Sequence, residues 1–513
     1  MEKKGVMKKS RTEYSTRNTT VAILARIAAI LAGFMTRVVF THTLSQDYVG
    51  INGLFSDILN VLALTELGAG TAITYALYQP VSEGDVEKQK SLIRMFRNIY
   101  LAVAAIIFAG GLLVIPFMGI LIKNQPQIEH LILIYLLYLV NSVLSYLVVY
   151  KKTLIDAHQL SYIGVLYHTL ALILQNILQI VILIATRNFI LYILAAILCT
   201  FLNNMAISRK ADQMYPYLKE KDIRKLPLQE KKGIYQNIRA MLMHKLGAVI
   251  VNNTDNLLLS SLVGIISNSI YSNYYLIIGS IRQVLNQLFQ GIAASVGNLG
   301  VEEDRERVKK IFEASFFIGQ WVFGMAAICI YEVIDVFAGF CFGDNYVFTR
   351  DITFVLCLNF YLTGMRQASI VFRESLGIFW CDRYRPLAEA VVNLAASIFL
   401  GIRMGTAGVF WGTAVSTVTT SLWLEPYMLY RHCLKSSPAI YFMRYGLYAS
   451  ITFFLWFGVD FLCGITSGSP WVICIERLII ALIVTNLAYL ILYYRTKEFQ
   501  LLKEKGKRIL KQI

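Results

Sequence analysis

The chain has 513 residues, of which 57% are hydrophobic and only 16% charged, against roughly a quarter charged in soluble domains. That balance excludes an ordinary soluble globular protein and a disordered one. Apolar runs recur along the whole length, many reaching the ~20 residues a helix needs to cross hydrocarbon, and the formal net charge is +16.

Fourteen candidate spans follow one another, near residues 18–43, 50–79, 98–120, 128–150, 161–186, 188–208, 240–263, 269–298, 311–337, 351–376, 386–402, 406–430, 445–463 and 471–494. Lipid offers the backbone no hydrogen-bond partner, so helices are the structure expected; the ten-residue alternation of a membrane barrel is absent. After a basic segment at 1–17, the first span carries Arg26 and Arg37. They are eleven residues apart, nearly three full turns, and so share one face with Gly33 between them. The second span holds Asp57 and Glu66 and runs into SEGDVEKQKSLIRMF. Four further spans lead to the longest polar interruption, 209–239.

The seventh span presents Lys245, Asn252 and Asn256 as a polar stripe with Asp255 beside it, and the eighth holds Arg282 with Tyr275 and Phe289 one heptad to either side. The next charged turn, GVEEDRERVKKIF, repeats the pattern met after the second span: Lys88, Leu92 and Phe96 are matched by Asp304, Val308 and Phe312 at an offset of 216 residues. Six intervening spans give both copies one orientation, the parallel type of repeat, whose substrate site lies between the lobes near mid-membrane. Arg366 and Arg373 in the tenth span are seven apart and share a face, Glu389 lies in the eleventh and Glu425 in the twelfth. Arg373 adjoins Glu374 and Arg477 adjoins Glu476, so these two arginines have simple structural readings. The expected organisation is a basic N-terminus at 1–17, an N-lobe at 18–208, an inter-lobe loop at 209–239, a C-lobe at 240–430, a helix pair at 431–494 and a basic amphipathic tail at 495–513. Such a tail suits an anionic inner leaflet.

The distribution of Lys and Arg removes a nucleic-acid partner. The N-terminus, the even-numbered gaps and the tail carry 37 of them, the odd-numbered gaps only Lys123, Arg187, Arg350 and Arg403. By the positive-inside rule both termini are cytoplasmic and the excess charge records topology. Seven cations remain inside spans. A charge at that depth normally faces a partner or a watery cavity, and arginine, which stays ionised and offers a planar fork, suits phosphate or pyrophosphate. If the lobes face each other, Arg26, Arg37, Lys245 and Arg282 point to one central cavity, with Arg366, Asn252 and Asn256 as further substrate-binding candidates. Asp57, Glu66 and Asp255 are candidates for coupling to H+ or Na+, or else fixed counter-ions of the arginines. The eight cysteines and six histidines are scattered, and no Walker A loop, HExxH or GxSxG occurs. No cofactor, metal or catalytic residue is expected.

Several blocks carry a resemblance. RVVFTHTLSQDYVGINGLFSDIL leads into LTELGAGTAITYALYQPVSEGD; NNTDNLLLSSLVGIISNSIYSNYYLI ends in ASVGNL; FRESLGIFWCDRYRPLAEAVVNLAASIFLG precedes GTAGVFWGTAVS. Together they resemble the polysaccharide-transporter branch of the multidrug/oligosaccharidyl-lipid/polysaccharide exporter superfamily, in the variant common in Gram-positive bacteria. The resemblance implies about fourteen helices in a V-shaped, two-lobed bundle with a cationic cavity. It also implies alternating-access transfer of undecaprenyl-pyrophosphate-linked oligosaccharide to the outer leaflet of the bacterial cytoplasmic membrane. By position Arg26 and Arg37 match first-helix arginines of these flippases, Asp255 falls in an N-x-D-like block, and Arg282 is placed by its span. A polysaccharide polymerase is an implied partner, and a monomer is expected. The alternatives are a drug/cation antiporter, whose cavity should be acidic or aromatic, and a lipid II flippase. A membrane-bound polymerase or ligase is the third, and it lacks an external loop larger than about 338–350.

Overall fold

The computed structural model describes residues 11–63, 69–122, 128–158, 160–220, 224, 226–235, 254–301, 305–376, 384–501 and 503. These residues are almost entirely helical, with no strand among them, and they include eight helical stretches long and apolar enough to cross a membrane. The chain is an all-α, polytopic integral membrane protein. It divides into two compact units, Met1–Asn253 and Thr254–Ile513.

Unit 1 contains α1 (Arg11–Thr43), α2 (Gln46–Leu62), α3 (Ala69–Glu83), α4 (Val86–Val114), the short α5 (Met118–Leu121), α6 (Leu131–Tyr146), α7 (Val149–Ala157), α8 (Ser161–Thr186) and α9 (Phe189–Met214). Turn chemistry sets its breaks. Asp85 caps α4 by accepting from the Lys88 backbone N–H at 2.9 Å, and Asn188 caps α9 through Ile190 and Leu191, each satisfying donors that a helix start leaves open. The α4 stripe Leu92, Phe96, Tyr100 and Ile107 is buried with Leu139 and Leu154. Gly111 lets α6 close on α4: a Cβ there would lie 2.4 Å from Leu139 Cδ1, and the Tyr135 hydroxyl donates to the Gly111 carbonyl at 2.9 Å. α1 lies along α8, pinned by Thr36 Oγ1 donating to Asn176 Oδ1 at 2.5 Å.

Unit 2 begins with a helical turn at 254–258 and a π-helical turn, Leu259–Val263. It continues through α10 (Ile265–Val301), α11 (Arg305–Phe342), α12 (Arg350–Met365), α13 (Gln367–Ser375), α14 (Arg385–Ser416), a π-turn Thr417–Ser421, α15 (Leu422–Leu429), a second π-turn Tyr430–Leu434, α16 (Ala439–Cys463) and α17 (Pro470–Tyr493). α11 is the axial element, packed by α10, α12, α16 and α17. Its Gln320 is fully buried, donates to Thr452 Oγ1 at 2.8 Å and accepts from the Tyr361 hydroxyl at 2.9 Å. Polar groups taken from water need such partners.

The interval read as the eleventh and twelfth spans is one helical hairpin. Gly405 sits at φ 60°, ψ −134° within α14, a backbone region that favours glycine. The arms return on each other: Ser397 Oγ donates to the Val409 carbonyl at 3.0 Å, whereas twelve residues of straight helix would separate them by ~18 Å. Gly408 and Gly412 permit the contact, since a Cβ at Gly412 would lie 2.4 Å from the Ser397 backbone. The two segments matched at an offset of 216 residues both point inward: Leu92 and Phe96 on α4, Val308 and Phe312 on α11 are all buried.

Candidate functional site

The first arm of α14 carries a polar residue every fourth position, Arg385, Glu389, Asn393 and Ser397, all buried. Four-residue spacing places them on one face. Opposite run Thr413, Ser416, Ser421 and Glu425, re-phased by the Thr417–Ser421 π-turn; such single-turn π insertions frequently mark functional positions.

At one end of this seam is a buried ionic cluster. Arg366, at the break between α12 and α13, gives all three guanidinium nitrogens to carboxylates. Nε and Nη2 reach Glu425 at 3.1 and 3.0 Å, and Nη1 reaches Glu389 at 2.9 Å. Arg385 Nη1 lies 3.1 Å from Glu389, 3.0 Å from Glu425 and 2.6 Å from Ser421 Oγ. Arg373 is 3.8 Å from Glu425. Among the described residues three cations surround two carboxylates, of which Glu425 is wholly inaccessible. Bidentate arginine–carboxylate geometry is what makes such desolvated pairs tenable.

Further along the seam, Thr413 Oγ1 donates to Asp255 Oδ1 at 3.1 Å, Asn393 Nδ2 donates to Thr413 Oγ1 at 3.1 Å, and Thr254 Oγ1 donates to Asn393 Oδ1 at 3.3 Å. The Ser397 hydroxyl and Val409 carbonyl follow one turn on. The buried Asp255 carboxylate thus heads a set of hard oxygen donors from three segments, the ligand type that suits a small hard cation or a proton. Asn256 is half-buried beside it, on the same turn.

Arg282 is differently placed. It stands midway along the 37-residue α10, half-buried, and among the described residues it has no carboxylate partner. Its Nη2 donates to the Tyr275 hydroxyl at 3.3 Å, and the guanidinium lies 5.6 Å from that ring. A positive charge midway along α10 is therefore held by an aromatic platform, which orients it without neutralising it.

In unit 1, Arg37 is half-buried 5.9 Å from the Phe40 ring, and Phe40 packs edge-on against Phe189 and Tyr192. Asp57 is half-buried on α2. Arg26 lies on α1, but its side chain falls outside the described residues, as do Lys245, Asn252 and Glu66.

Arg477 does not use its neighbour Glu476. Its Nε donates to Thr466 Oγ1 at 3.0 Å and its Nη1 to the Glu332 carbonyl at 3.4 Å. It borders a second ionic group at the start of α12. There Arg350 contacts Asp460 at 2.7 Å, Glu332 at 3.6 Å and Asp335 at 3.8 Å, while Tyr274 and Thr353 donate to Asp335 at 2.6 and 2.7 Å. Sequence reasoning passed over Arg385, which counted as a gap charge, and over Glu332, Asp335, Asn393 and Thr413. The readable signal was the four-residue period of polar side chains from Arg385 to Ser397.

No family model and no curated protein matches the chain. Solved structures match it by shape. The lipid II flippase MurJ in an inward closed conformation aligns with a TM-score of 0.66 at 14% identity, over 93% of this chain and 98% of that one. An inward-facing multidrug resistance MATE family transporter of the MOP superfamily aligns at 0.59 and 15% identity, over 80% of this chain and 98% of its own. The Vibrio cholerae MATE transporter VcmN, in its bent form, aligns at 0.52 and 14% identity, over 83% of this chain and 98% of its own. The chain therefore has the fold these transporters share.

Proposed function

We propose that the chain is a flippase for undecaprenyl-pyrophosphate-linked oligosaccharide repeat units. It would move them from the inner to the outer leaflet by alternating access, for capsule, exopolysaccharide or O-antigen-type assembly. It is a transporter and not an enzyme, and works as a monomer in the bacterial cytoplasmic membrane with both termini in the cytoplasm. A polysaccharide polymerase consumes its product. The observation that carries the reading is Arg282: an arginine midway along α10, the helix the sequence reads as the eighth span, oriented by Tyr275 and left without a carboxylate among the described residues. An uncompensated cation at that depth is costly unless it serves an anion. Arg26, Arg37 and Lys245 are the other candidates for binding the pyrophosphate, and Asn252 and Asn256 the candidates for hydrogen bonds to sugar. Arg366, whose nitrogens are committed to Glu389 and Glu425, contributes field and shape instead of an open fork.

Coupling to H+ or Na+ runs through Asp255, whose oxygen-lined setting with Thr413 and Asn393 supports ion exchange; Asp57 and Glu66 are the other candidates. The test is export in a strain whose own copy is replaced. Arg282→Ala should insert normally and abolish polymer export, with lipid-linked units accumulating on the cytoplasmic leaflet. Normal export by a variant present at parental level would refute the reading.

A second reading has a specific observation in its favour, the extent of the match to the lipid II flippase MurJ. Under it the glycan carried is the peptidoglycan precursor. Complementation of a strain depleted of its lipid II flippase would establish that substrate, and failure to complement alongside intact polymer export would remove it. A drug/cation antiporter would instead show as lost resistance to cationic dyes with surface polysaccharide intact.

A further inference from the structure

The Asp255 carboxylate and the Arg282 guanidinium, the two ends of the flippase reading, are joined by a continuous line of contacts inside unit 2. Asp255 Oδ1 accepts from Thr413 Oγ1 at 3.1 Å. Phe410 stands three residues earlier on the same arm of α14, buried, with the Tyr271 ring of α10 against it at a centroid distance of 4.8 Å. Tyr271 in turn lies 5.8 Å from the Tyr275 ring. Tyr275 holds Arg282, by its hydroxyl at 3.3 Å and by its face at 5.6 Å. Tyr271, Tyr275 and Arg282 share one side of α10, being four and then seven residues apart.

Two features give this line mechanical meaning. First, α10 and α14 share little backbone contact, so side chains span the gap between them. Thr406 Oγ1 donates to Ser267 Oγ at 3.2 Å, and one turn further along both helices Phe410 meets Tyr271. Tyr271 is buried while Tyr275 is exposed, so a shift of Phe410 presses on a close-packed ring and is passed on to one with room to turn. Second, both segments that bring the oxygen donors together are built to bend. A π-turn begins four residues after Asp255, at Leu259, and another four residues after Thr413, at Thr417. Helices kink at such insertions, which frequently mark functional positions. The first π-turn also packs on the hairpin, where Leu262 Cδ1 would lie 3.2 Å from a Cβ at Gly401. A cation or proton taken up by Asp255 changes what its oxygens accept from Thr413, and the helical turn bearing Thr413 and Phe410 moves with that bond.

We propose that Tyr271 is a positioning residue, which transmits occupancy at Asp255 to the attitude of the Arg282 guanidinium and so links ion binding to pyrophosphate binding. The inference rests on the flippase reading and names how its two ends communicate. The purified full-length chain is titrated in detergent with undecaprenyl pyrophosphate, with sodium or choline at fixed pH, and at acid or neutral pH with sodium fixed. The quantity read is the ratio of Kd values without and with the ion. The parent should show a ratio of about 5 or more. Tyr271→Leu and Phe410→Leu should still bind, with Kd no longer dependent on the ion. Tyr271→Phe, which keeps the ring, should retain the parental ratio. Phe316→Leu removes a buried ring of α11 outside the line and should also retain it, which separates positioning from general loosening. Leucine variants on two different helices keep the result readable if one folds poorly. A parental ratio in both of them, or a ratio lost equally in Tyr271→Phe, overturns the inference. So does a parent whose binding ignores both ions while Arg282→Ala weakens it. Failure of the flippase reading looks different: the parent does not bind undecaprenyl pyrophosphate, or Arg282→Ala binds it as the parent does, which removes the role of that arginine and this inference with it.

Discussion

Two arginines that look alike as charges in apolar stretches should fail in opposite ways. Arg366→Ala removes three charge-assisted hydrogen bonds of 2.9–3.1 Å to Glu389 and Glu425 and strands two buried carboxylates on Arg385 and the more distant Arg373. Breaking a buried pair by deleting one partner costs ~3–5 kcal/mol, because the surviving charge stays desolvated. Arg282→Ala deletes one 3.3 Å hydrogen bond, worth ~0.5–1.5 kcal/mol, and a contact with the Tyr275 ring of ~0.5–1 kcal/mol. Against that it removes a charge with no carboxylate partner among the described residues, which in the proposed membrane setting is a relief of similar or larger size. Its net effect on folding should fall within about 1 kcal/mol of zero, while transport is lost. The assay is paired: the fraction surviving a heat challenge in detergent, read as a monodisperse peak, and polymer export in the cell. Arg366→Ala should lose folded protein. If Arg366→Ala is as heat-stable as the parent, the structural assignment of that arginine is wrong. If Arg282→Ala is the less stable of the two, the division between them is refuted.

Other expectations follow from individual contacts. Asp255→Asn should insert and fold, yet make export insensitive to the sodium or proton gradient; an unchanged dependence of export rate on ion concentration would exclude Asp255 as the coupling group. Gly412→Ala should be strongly destabilised, since its Cβ would meet the Ser397 backbone at 2.4 Å and overpacking costs ~1–3 kcal/mol or more. Gly446→Ala, with open space at its Cβ, is the control that should match the parent in the same heat challenge. Glu332→Gln should be neutral or stabilising in that assay, because both carboxylate oxygens are buried without a hydrogen bond. Asp335→Leu should cost ~1–3 kcal/mol, since it strands the hydroxyls of Tyr274 and Thr353.

The helical class and the membrane were legible because apolar length is a local property, and so was the shared face of Arg366 and Arg373, which both reach Glu425 as their seven-residue spacing implies. The pairing itself was not legible. Glu425 lies 59 residues from Arg366, and only the hairpin at Gly405 and the π-turn at Thr417–Ser421 bring the two together. Arg477 shows the limit of adjacency: residues at i and i+1 do not face each other on a helix, so Glu476 is exposed while Arg477 turns to Thr466 and Glu332. Arg385 was hidden by its usefulness as a topology marker, since a cation just before a span reads as interfacial, yet it is buried by Glu389 and Glu425.

Depth in the membrane therefore does not decide what a buried cation does; the local count of acids does. With every group ionised, the described cluster around Arg366 holds three cations and two anions, and the cluster around Arg350 and Arg477 holds two cations and three anions, Glu332, Asp335 and Asp460. They stand at opposite ends of the 16-residue α12, ~24 Å apart along its axis. In the proposed orientation the positive excess is cytoplasmic and the negative excess external, the arrangement a membrane potential negative inside favours by ~2.3 kcal/mol per charge per 100 mV. Among the described residues the two imbalances are opposite in sign within one unit. Arg282 takes part in neither described cluster.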